Sequence, residues 1–287
     1  MTEKRQGVFD LSSGTNGFPP PIILSNGNEM PVIGLGTYSL RGKECVEAVL
    51  SSIMSGYRKF DTASFYANEE EVGMAIRKAV KENMVNREDI FVATKLYPNE
   101  FANAKACIEN CLSKLDLGYI DLMLLHHPGS HDVDAYNTME RYVKNGMIRS
   151  LGVSNFYIKE MEDFIKQVNA KPVLDQIEVH PYYQDKDVVR YLHETGIVAE
   201  AWYPFGGRGF NAELMKEPVI MNIARKYGKS LPQIILRWDL QNGVVAVPGS
   251  SNPQHQKQNL SIFDFELTPE EMHNIDALER REKHDWY

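Results

Sequence analysis

The sequence predicts an α/β fold, a (β/α)8 TIM barrel with an N-terminal β-hairpin and extra C-terminal helices, and three observations carry that expectation. Short apolar runs alternate with amphipathic helical stretches along most of the chain, the pattern of parallel strands joined by crossover helices. The runs number eight, each followed by a helical stretch. The open, doubly wound alternative lacks its fingerprint, because no GxGxxG follows the first run. A chain of 287 residues suits one such barrel, which needs roughly 250. No Pro/Gly/Ser-rich linker divides the interior, so residues 1–287 read as a single domain, with 1–20 as a flexible N-terminal extension.

The elements follow in order. Ile22-Ile23-Leu24, Asn26-Gly27-Asn28 and Val32-Ile33 read as apolar, turn, apolar, a hairpin signal. The barrel strands are expected at 32–37, 59–63, 90–96, 120–126, 150–154, 173–179, 198–202 and 244–248. Helical patterns fill the gaps at 42–55, 69–82, 102–117, 135–145, 159–168, 185–194 and 217–227, the last continuing through 231–241. Two further helices follow the last unit, 253–260 and 268–278; Thr268-Pro269-Glu270-Glu271 opens the second with an N-cap, a first-turn proline and a capping-box glutamate.

Composition narrows the function classes. With 43% hydrophobic and 24% charged residues the chain is of ordinary globular type. A net charge of -8 without any basic run argues against a nucleic-acid partner, because phosphate backbones are bound by concentrated basic faces. An anionic cofactor is still allowed, since a few local donors hold a phosphate. Cys45, Cys107 and Cys111 are too few and wrongly spaced for a disulfide framework or a zinc site, which suits a reducing cytoplasm. Cys107 and Cys111, one helical turn apart, read as packing residues. Residues 1–18 lack the apolar core of a signal peptide, and no stretch approaches the roughly 20 apolar residues of a membrane span. The expectation is a soluble cytoplasmic protein.

Barrel enzymes place their chemistry at the carboxyl ends of the strands. There stand Asp61, Lys95, His126, Ser154 with Asn155, Gln176, Trp202 and, after the last run, Ser250. One such polar residue is unremarkable, but a ring of them is harder to assign to packing. A carboxylate and a lysine in apolar strands are costly to bury unless they pair. An Asp61–Lys95 pair would hold the ammonium near Tyr66, five residues after Asp61, and a neighbouring cation lowers a phenol's pKa by about 1 to 3 units. His126 would then orient a carbonyl beside that phenol. Asp61 is read as the single carboxylate at the strand ends, which leaves metal-dependent isomerisation or hydrolysis without ligands. A metal site on His126 and His127 is set aside because strand neighbours face opposite ways.

The segment Asp61-Thr62-Ala63-Ser64-Phe65-Tyr66-Ala67-Asn68-Glu69-Glu70-Glu71-Val72-Gly73 resembles the signature of the aldo-keto reductase family. So do Thr94-Lys95-Leu96, Leu125-His126-His127-Pro128, Gly152-Val153-Ser154-Asn155-Phe156 and Gln176-Ile177-Glu178-Val179-His180-Pro181-Tyr182, in the family's order. The resemblance implies an NAD(P)H-dependent oxidoreductase acting on small carbonyls, with NADP(H) the usual cofactor, NAD(H) an alternative and no metal. It implies a catalytic tetrad of Asp61, Tyr66, Lys95 and His126, with Tyr66 as general acid in reduction and base in oxidation. Ser154, Asn155 and Gln176 would hold the nicotinamide carboxamide, and Trp202 would stack on the ring where many members have tyrosine. Gly36, Thr37, Tyr203, Pro204, Gly206, Gly249, Ser250, Asn252, His255, Gln258 and Asn259 complete the implied dinucleotide set, the last two near adenine. Tyr38, His127 and Phe156 are the implied substrate-pocket residues, with Tyr203, Phe205, Trp286 and Tyr287 as weaker ones. His180 and Tyr182 are read as structural, and a monomer or weak oligomer is expected.

Two positions depart from the family. NADPH-using members usually grip the 2′-phosphate with a lysine and an arginine, where this chain has Gly249 and His255; Ser250, Asn252 and His255 are left to bond a phosphate at the following helix. His127 stands where an aromatic residue usually lines the pocket. The connection 129–134 is short, which suggests an open site. The competing reading is a dinucleotide-binding redox sensor with slow turnover, against which the intact tetrad speaks.

Overall fold

The chain enters, in the computed structural model that describes Phe9, Leu11 and residues 21–283, through a hairpin of β1 (Ile22–Ile23) and β2 (Glu29–Met30). Gly27 supplies the turn at φ +89°. The side-chain amides of Asn26 and Asn28 donate to the Arg149 carbonyl at 3.2 and 2.9 Å, and to Ser150 Oγ at 3.1 and 2.9 Å. The turn is thereby fastened to the start of the fifth barrel strand. The second arm is 29–30, not 32–33 as the apolar run suggested. Within the expected extension 1–20, Leu11 belongs to the buried core and Phe9 packs against it; the other residues of that stretch, and Trp286 and Tyr287, lie outside the described residues.

Eight parallel strands follow in sequence order: β3 (Leu35–Gly36), β4 (Lys59–Asp61), β5 (Phe91–Leu96), β6 (Ile120–Leu125), β7 (Ile148–Ser154), β8 (Leu174–Glu178), β9 (Val198–Trp202) and β10 (Val244–Ala246). Bridges Ile33↔Ala246 and Gly36↔Gly249 join the first strand to the last and close the sheet into a barrel. Here the prediction of one strand at 32–37 needs correcting. Residues 32–34 bond across the seam, with Gly34 N donating to Ala246 O at 3.0 Å and Ala246 N to Val32 O at 3.2 Å. The seam also fixes Gly36, since a Cβ there would stand 2.5 Å from the Val247 carbonyl oxygen.

Helices α1 (Gly42–Ser55), α2 (Glu69–Lys81), α3 (Ala104–Leu115), α4 (Asp132–Lys144), α5 (Ile158–Ile165) and α6 (Lys186–Glu194) follow the first six barrel strands. The seventh is followed by α7 (Gly207–Leu214), α8 (Pro218–Tyr227) and α9 (Leu231–Gln241), and the eighth by α10 (Pro253–Leu260) and α11 (Pro269–Asp276). The capping box of α11 forms as its sequence implies, with Thr268 Oγ1 accepting from Glu271 N at 3.2 Å and Glu271 Oε2 from Thr268 N at 2.8 Å. The sequence missed α7. No helix is expected between 202 and 217, and glycines 206, 207 and 209 are weak helix formers; the helix forms where Leu214 is buried and Phe210 packs against the core. Among the described residues no helix is long and apolar enough to cross a membrane.

Strand periodicity decides what the barrel contains. Lys59 and Asp61, two apart on β4, share one face, as do Glu200 and Trp202 on β9. Phe60, between the first two, takes the opposite face, and all three β4 residues are buried. The cysteines serve packing: Cys45 and Cys111 are buried, and burial pushes the Cys45 thiol up to about 12.

Candidate active site

β4 ends at Asp61, and the chain turns through a short 3-10 segment, Ser64–Tyr66, closed by Ala67 in the left-handed conformation. Asn68 fixes this turn. Its Nδ2 donates to the carbonyls of Thr37 at 2.8 Å and Leu40 at 3.0 Å, and its Oδ1 accepts from Thr62 Oγ1 at 2.6 Å. The turn brings Tyr66 over Lys95 of β5. Lys95 Nζ donates to Asp61 Oδ1 and Oδ2 at 2.8 and 2.6 Å and to the Thr62 carbonyl at 3.0 Å, and lies 3.3 Å from Tyr66 Oη. The expected pair therefore exists, wholly buried.

The electrostatic consequence differs from the sequence expectation. Burial holds the Tyr66 phenol well above its ordinary value, and the nearby Asp61 adds to the effect. Burial dominates, so the net direction is upward rather than the lowering expected from a neighbouring cation. The phenol is a protonated donor at neutral pH. Burial likewise raises the Asp61 carboxyl, against the pull of the Lys95 ammonium.

His126 and His127 follow the end of β6, and their rings stack 5.0 Å apart with planes 8° from parallel. Both border one cleft, so the expectation that they face opposite ways fails: the alternation of a strand stops at Leu125. No group of three or more His, Cys, Asp or Glu side chains is arranged for a metal among the described residues. The His126 ring stands edge-on to Tyr66, centroids 5.6 Å apart. Burial holds His126 well below the usual histidine range, helped by Lys95 and then His127. The folded protein thus keeps this imidazole neutral while the unfolded chain protonates it near pH 6.5. Stability should accordingly fall as pH drops below about 6.5, and a His126→Asn variant should lose that part of the slope in urea unfolding measured from pH 7.5 to 5.5.

Asn155 follows β7 with φ +62°, a conformation that costs a non-glycine residue energy and gathers at functional sites. Its Nδ2 lies 3.1 Å from the His126 carbonyl, from His127 Nδ1 and from Ser154 Oγ, and its Oδ1 accepts from Trp202 Nε1 at 3.0 Å. The indole of Trp202 is held in place by that bond. Ser154 Oγ donates to the Gln176 carbonyl at 2.7 Å.

These side chains open onto a cleft of about 780 Å³ at the carboxyl ends of the strands. Of the predicted residues, Gly36, Tyr38, Asp61, Tyr66, His126, His127, Ser154, Asn155, Gln176, Trp202, Tyr203, Pro204, Gly249 and Ser250 border it. Others do not. Phe156 is buried against Phe164, centroids 5.0 Å apart, and is a core residue rather than part of the substrate pocket. Thr37 is buried behind the wall, its hydroxyl donating to the Asp61 carbonyl at 2.9 Å. Gly206 is the N-cap of α7. Asn252 caps α10, accepting from Gln254 N at 2.9 Å; His255 is exposed on that helix, Gln258 half-buried and Asn259 buried. His180 and Tyr182 are buried and engaged elsewhere, with Glu178 and Glu217.

The cleft also includes Phe65, Tyr97, Phe205, Arg208 and Asn211, of which the sequence singled out only Phe205. Phe65 stacks on Tyr97 at 4.5 Å, a pairing between separate loops that spacing does not reveal. Nor is Asp61 the only carboxylate in the strands. Asp121, Asp175, Glu178 and Glu200 are buried too, Asp121 held by Arg87 at 2.8 Å and Glu178 by His180 at 3.0 Å. Glu200 pairs with Lys59. The reasoning that found Asp61 and Lys95, charges in apolar strands, applies equally to Lys59 and Glu200.

Against known proteins, the profile of the Aldo/keto reductase family matches residues 32–280. The chain belongs to the aldo-keto reductase family. The enzyme is 42% identical over 260 residues to an uncharacterized oxidoreductase, YtbE, of Bacillus subtilis (strain 168), covering 89% of this chain and 91% of that protein. It is 40% identical to a glyoxal reductase of the same organism, over 91% of this chain and 94% of the relative. The solved aldose reductase from Schistosoma japonicum superposes with a TM-score of 0.87 at 31% identity, covering 92% of this chain and 94% of that one. The enzyme is thus an NAD(P)H-dependent oxidoreductase acting on carbonyls, built on a (β/α)8 barrel.

Proposed function

We propose that the enzyme reduces small aldehydes and ketones to alcohols, reversibly, with Tyr66 as the proton donor, and that NADP(H) is its preferred dinucleotide. The observation that carries the reading is the bonded set Asp61–Lys95–Tyr66, beside neutral His126, at the floor of an open cleft. When bound, the dinucleotide supplies a hydride to the carbonyl carbon. Tyr66 Oη gives its proton to the carbonyl oxygen, so that an alcohol forms and the phenolate is reprotonated from solvent. Lys95 stabilises that phenolate. Neutral His126 orients the carbonyl oxygen towards Tyr66.

The residues present fit such a cofactor. Among the described residues both Gln176 hydrogen bonds are made by Nε2, which leaves its amide oxygen available beside the cleft; Trp202 is fixed by Asn155, and Ser250 and Ser251 border the same cleft. Tyr38, His127, Phe65 and Tyr97 give the substrate side an aromatic character suited to small carbonyls of modest polarity. Ser250 and His255 are the groups nearest in sequence for the 2′-phosphate. A Cβ at position 249 would stand 3.2 Å from the Gly36 carbonyl oxygen at the seam, a close approach that Gly249 avoids.

Titrating the protein with NADPH and NADH, following tryptophan quenching, and then assaying short aldehydes and ketones tests the reading. Saturable binding of both with turnover of aldehydes is expected, and binding without turnover of any carbonyl would favour a sensor instead. His255 is exposed at the first turn of α10, so His255→Arg should improve NADPH over NADH by about 10-fold through one charge-assisted bond. An unchanged ratio would place the 2′-phosphate elsewhere.

A further inference from the structure

Below the tetrad lies a second buried ion pair. Lys59 of β4 and Glu200 of β9 are fully buried, and the lysine Nζ donates directly to Glu200 Oε2. A slot is built for the lysine stem: a Cβ on Gly34 would stand 2.9 Å from Lys59 Cγ and 3.1 Å from its Cδ, so the residue beside the stem is glycine. Gln176 connects this pair to the catalytic one. Its Nε2 donates to Glu200 Oε1 at 2.7 Å and to Asp61 Oδ1 at 2.9 Å. Two carboxylates accept only from an amide nitrogen, so the flanking acids dictate which way the amide points. Both hydrogens are spent inward, and Oε1 is the polar atom left for a ligand.

We propose that the Lys59–Glu200 pair is a positioning unit for hydride transfer, anchoring the Gln176 amide so that its Oε1 accepts from the nicotinamide carboxamide and fixes the ring face presented to substrate. The inference rests on the assignment of Gln176 to the nicotinamide made above. Lys59 holds the Glu200 carboxylate in place against Gln176; without that anchor Gln176 has one fixed carboxylate instead of two, and its amide is free to turn over. Glu200 also reaches the proton donor through space, since its charge is among those that hold the Tyr66 phenol up.

The test compares three variants with the full-length enzyme. Lys59→Met/Glu200→Leu removes both charges at similar volume, an exchange that buried pairs tolerate without loss of folding; Glu200→Gln keeps the shape if the double variant fails to fold. Gln176→Ala is the control. The readouts are NADPH affinity, kcat against KM for a short aldehyde, and the fraction of deuterium transferred from each face of stereospecifically labelled NADPH. Either pair variant is expected to weaken NADPH binding by about 10-fold, the worth of one hydrogen bond to a charged group, to lower kcat more than it raises the aldehyde KM, and to transfer measurable label from the wrong face. Glu200→Gln should in addition shift the alkaline limb of the oxidation profile to lower pH, because losing a negative charge stabilises the phenolate. Wild-type affinity and facial selectivity in both pair variants, with Gln176→Ala impaired, overturn the positioning role and leave the assignment of Gln176 standing. Wild-type behaviour of Gln176→Ala overturns that assignment and the inference with it.

Discussion

Tyr66→Phe should lower kcat for aldehyde reduction by about 100- to 10,000-fold, the range that a positioned proton donor supplies, while NADPH and NADH bind as before. The phenol ring of Tyr66 is packed edge-on to Tyr38 and His126, with centroids 5.0 and 5.6 Å away. Phenylalanine preserves those contacts and the turn held by Asn68, so the loss is confined to the proton. Lys95 Nζ spends its other bonds on Asp61 and the Thr62 carbonyl and is not orphaned by the change. The measurement is steady-state kinetics beside a fluorescence titration with each dinucleotide. Equal loss of turnover and binding would remove Tyr66 from the role of acid and make it a wall of the cofactor site.

Lys95→Met should cost stability as well as turnover. Asp61 is buried, and with the ammonium gone its carboxylate keeps one donor, the Gln176 amide. Removing one member of a buried pair typically costs about 3–5 kcal/mol. The sign with pH follows from the charge left behind. Asp61 already sits above the usual carboxylate range through burial, and without Lys95 it rises further; the unfolded chain keeps the ordinary value. Native Asp61 would then bind a proton that the unfolded chain releases near pH 4. The deficit of the variant should therefore be largest at neutral pH and shrink as pH falls towards that value, and Asp61→Asn/Lys95→Met should recover part of it. Urea unfolding at pH 7 and pH 5 checks both points. A variant as stable as the parent at pH 7 would mean that solvent reaches Asp61 and that the pair is not sealed.

Much of this was legible because the signals are local. Eight apolar runs fix eight strands; a carboxylate and a lysine in those runs are least costly to bury as a pair; the turn after Asp61 places Tyr66. Several of the expectations that failed did so where the deciding contact lies outside the segment itself. The strand at 32–37 is short because its first residues bond across the seam. Phe156 belongs to the core because Phe164 is there to receive it. Helix α7 forms in a glycine-rich stretch, where tertiary packing outweighs poor propensity.

The sequence by itself determined the family and the order of the strands and singled out Asp61, Tyr66, Lys95 and His126, the four side chains that the fold brings together, since composition, periodicity and motif order are properties of the chain. Only the tertiary structure decided their electrostatics. Whether Lys95 lowers the Tyr66 phenol depends on how much of its charge Asp61 absorbs and how much water burial removes, and neither can be read along the chain. The same holds for Lys59 and Glu200, 141 positions apart, which become partners only when β4 and β9 turn the same face into one closed barrel.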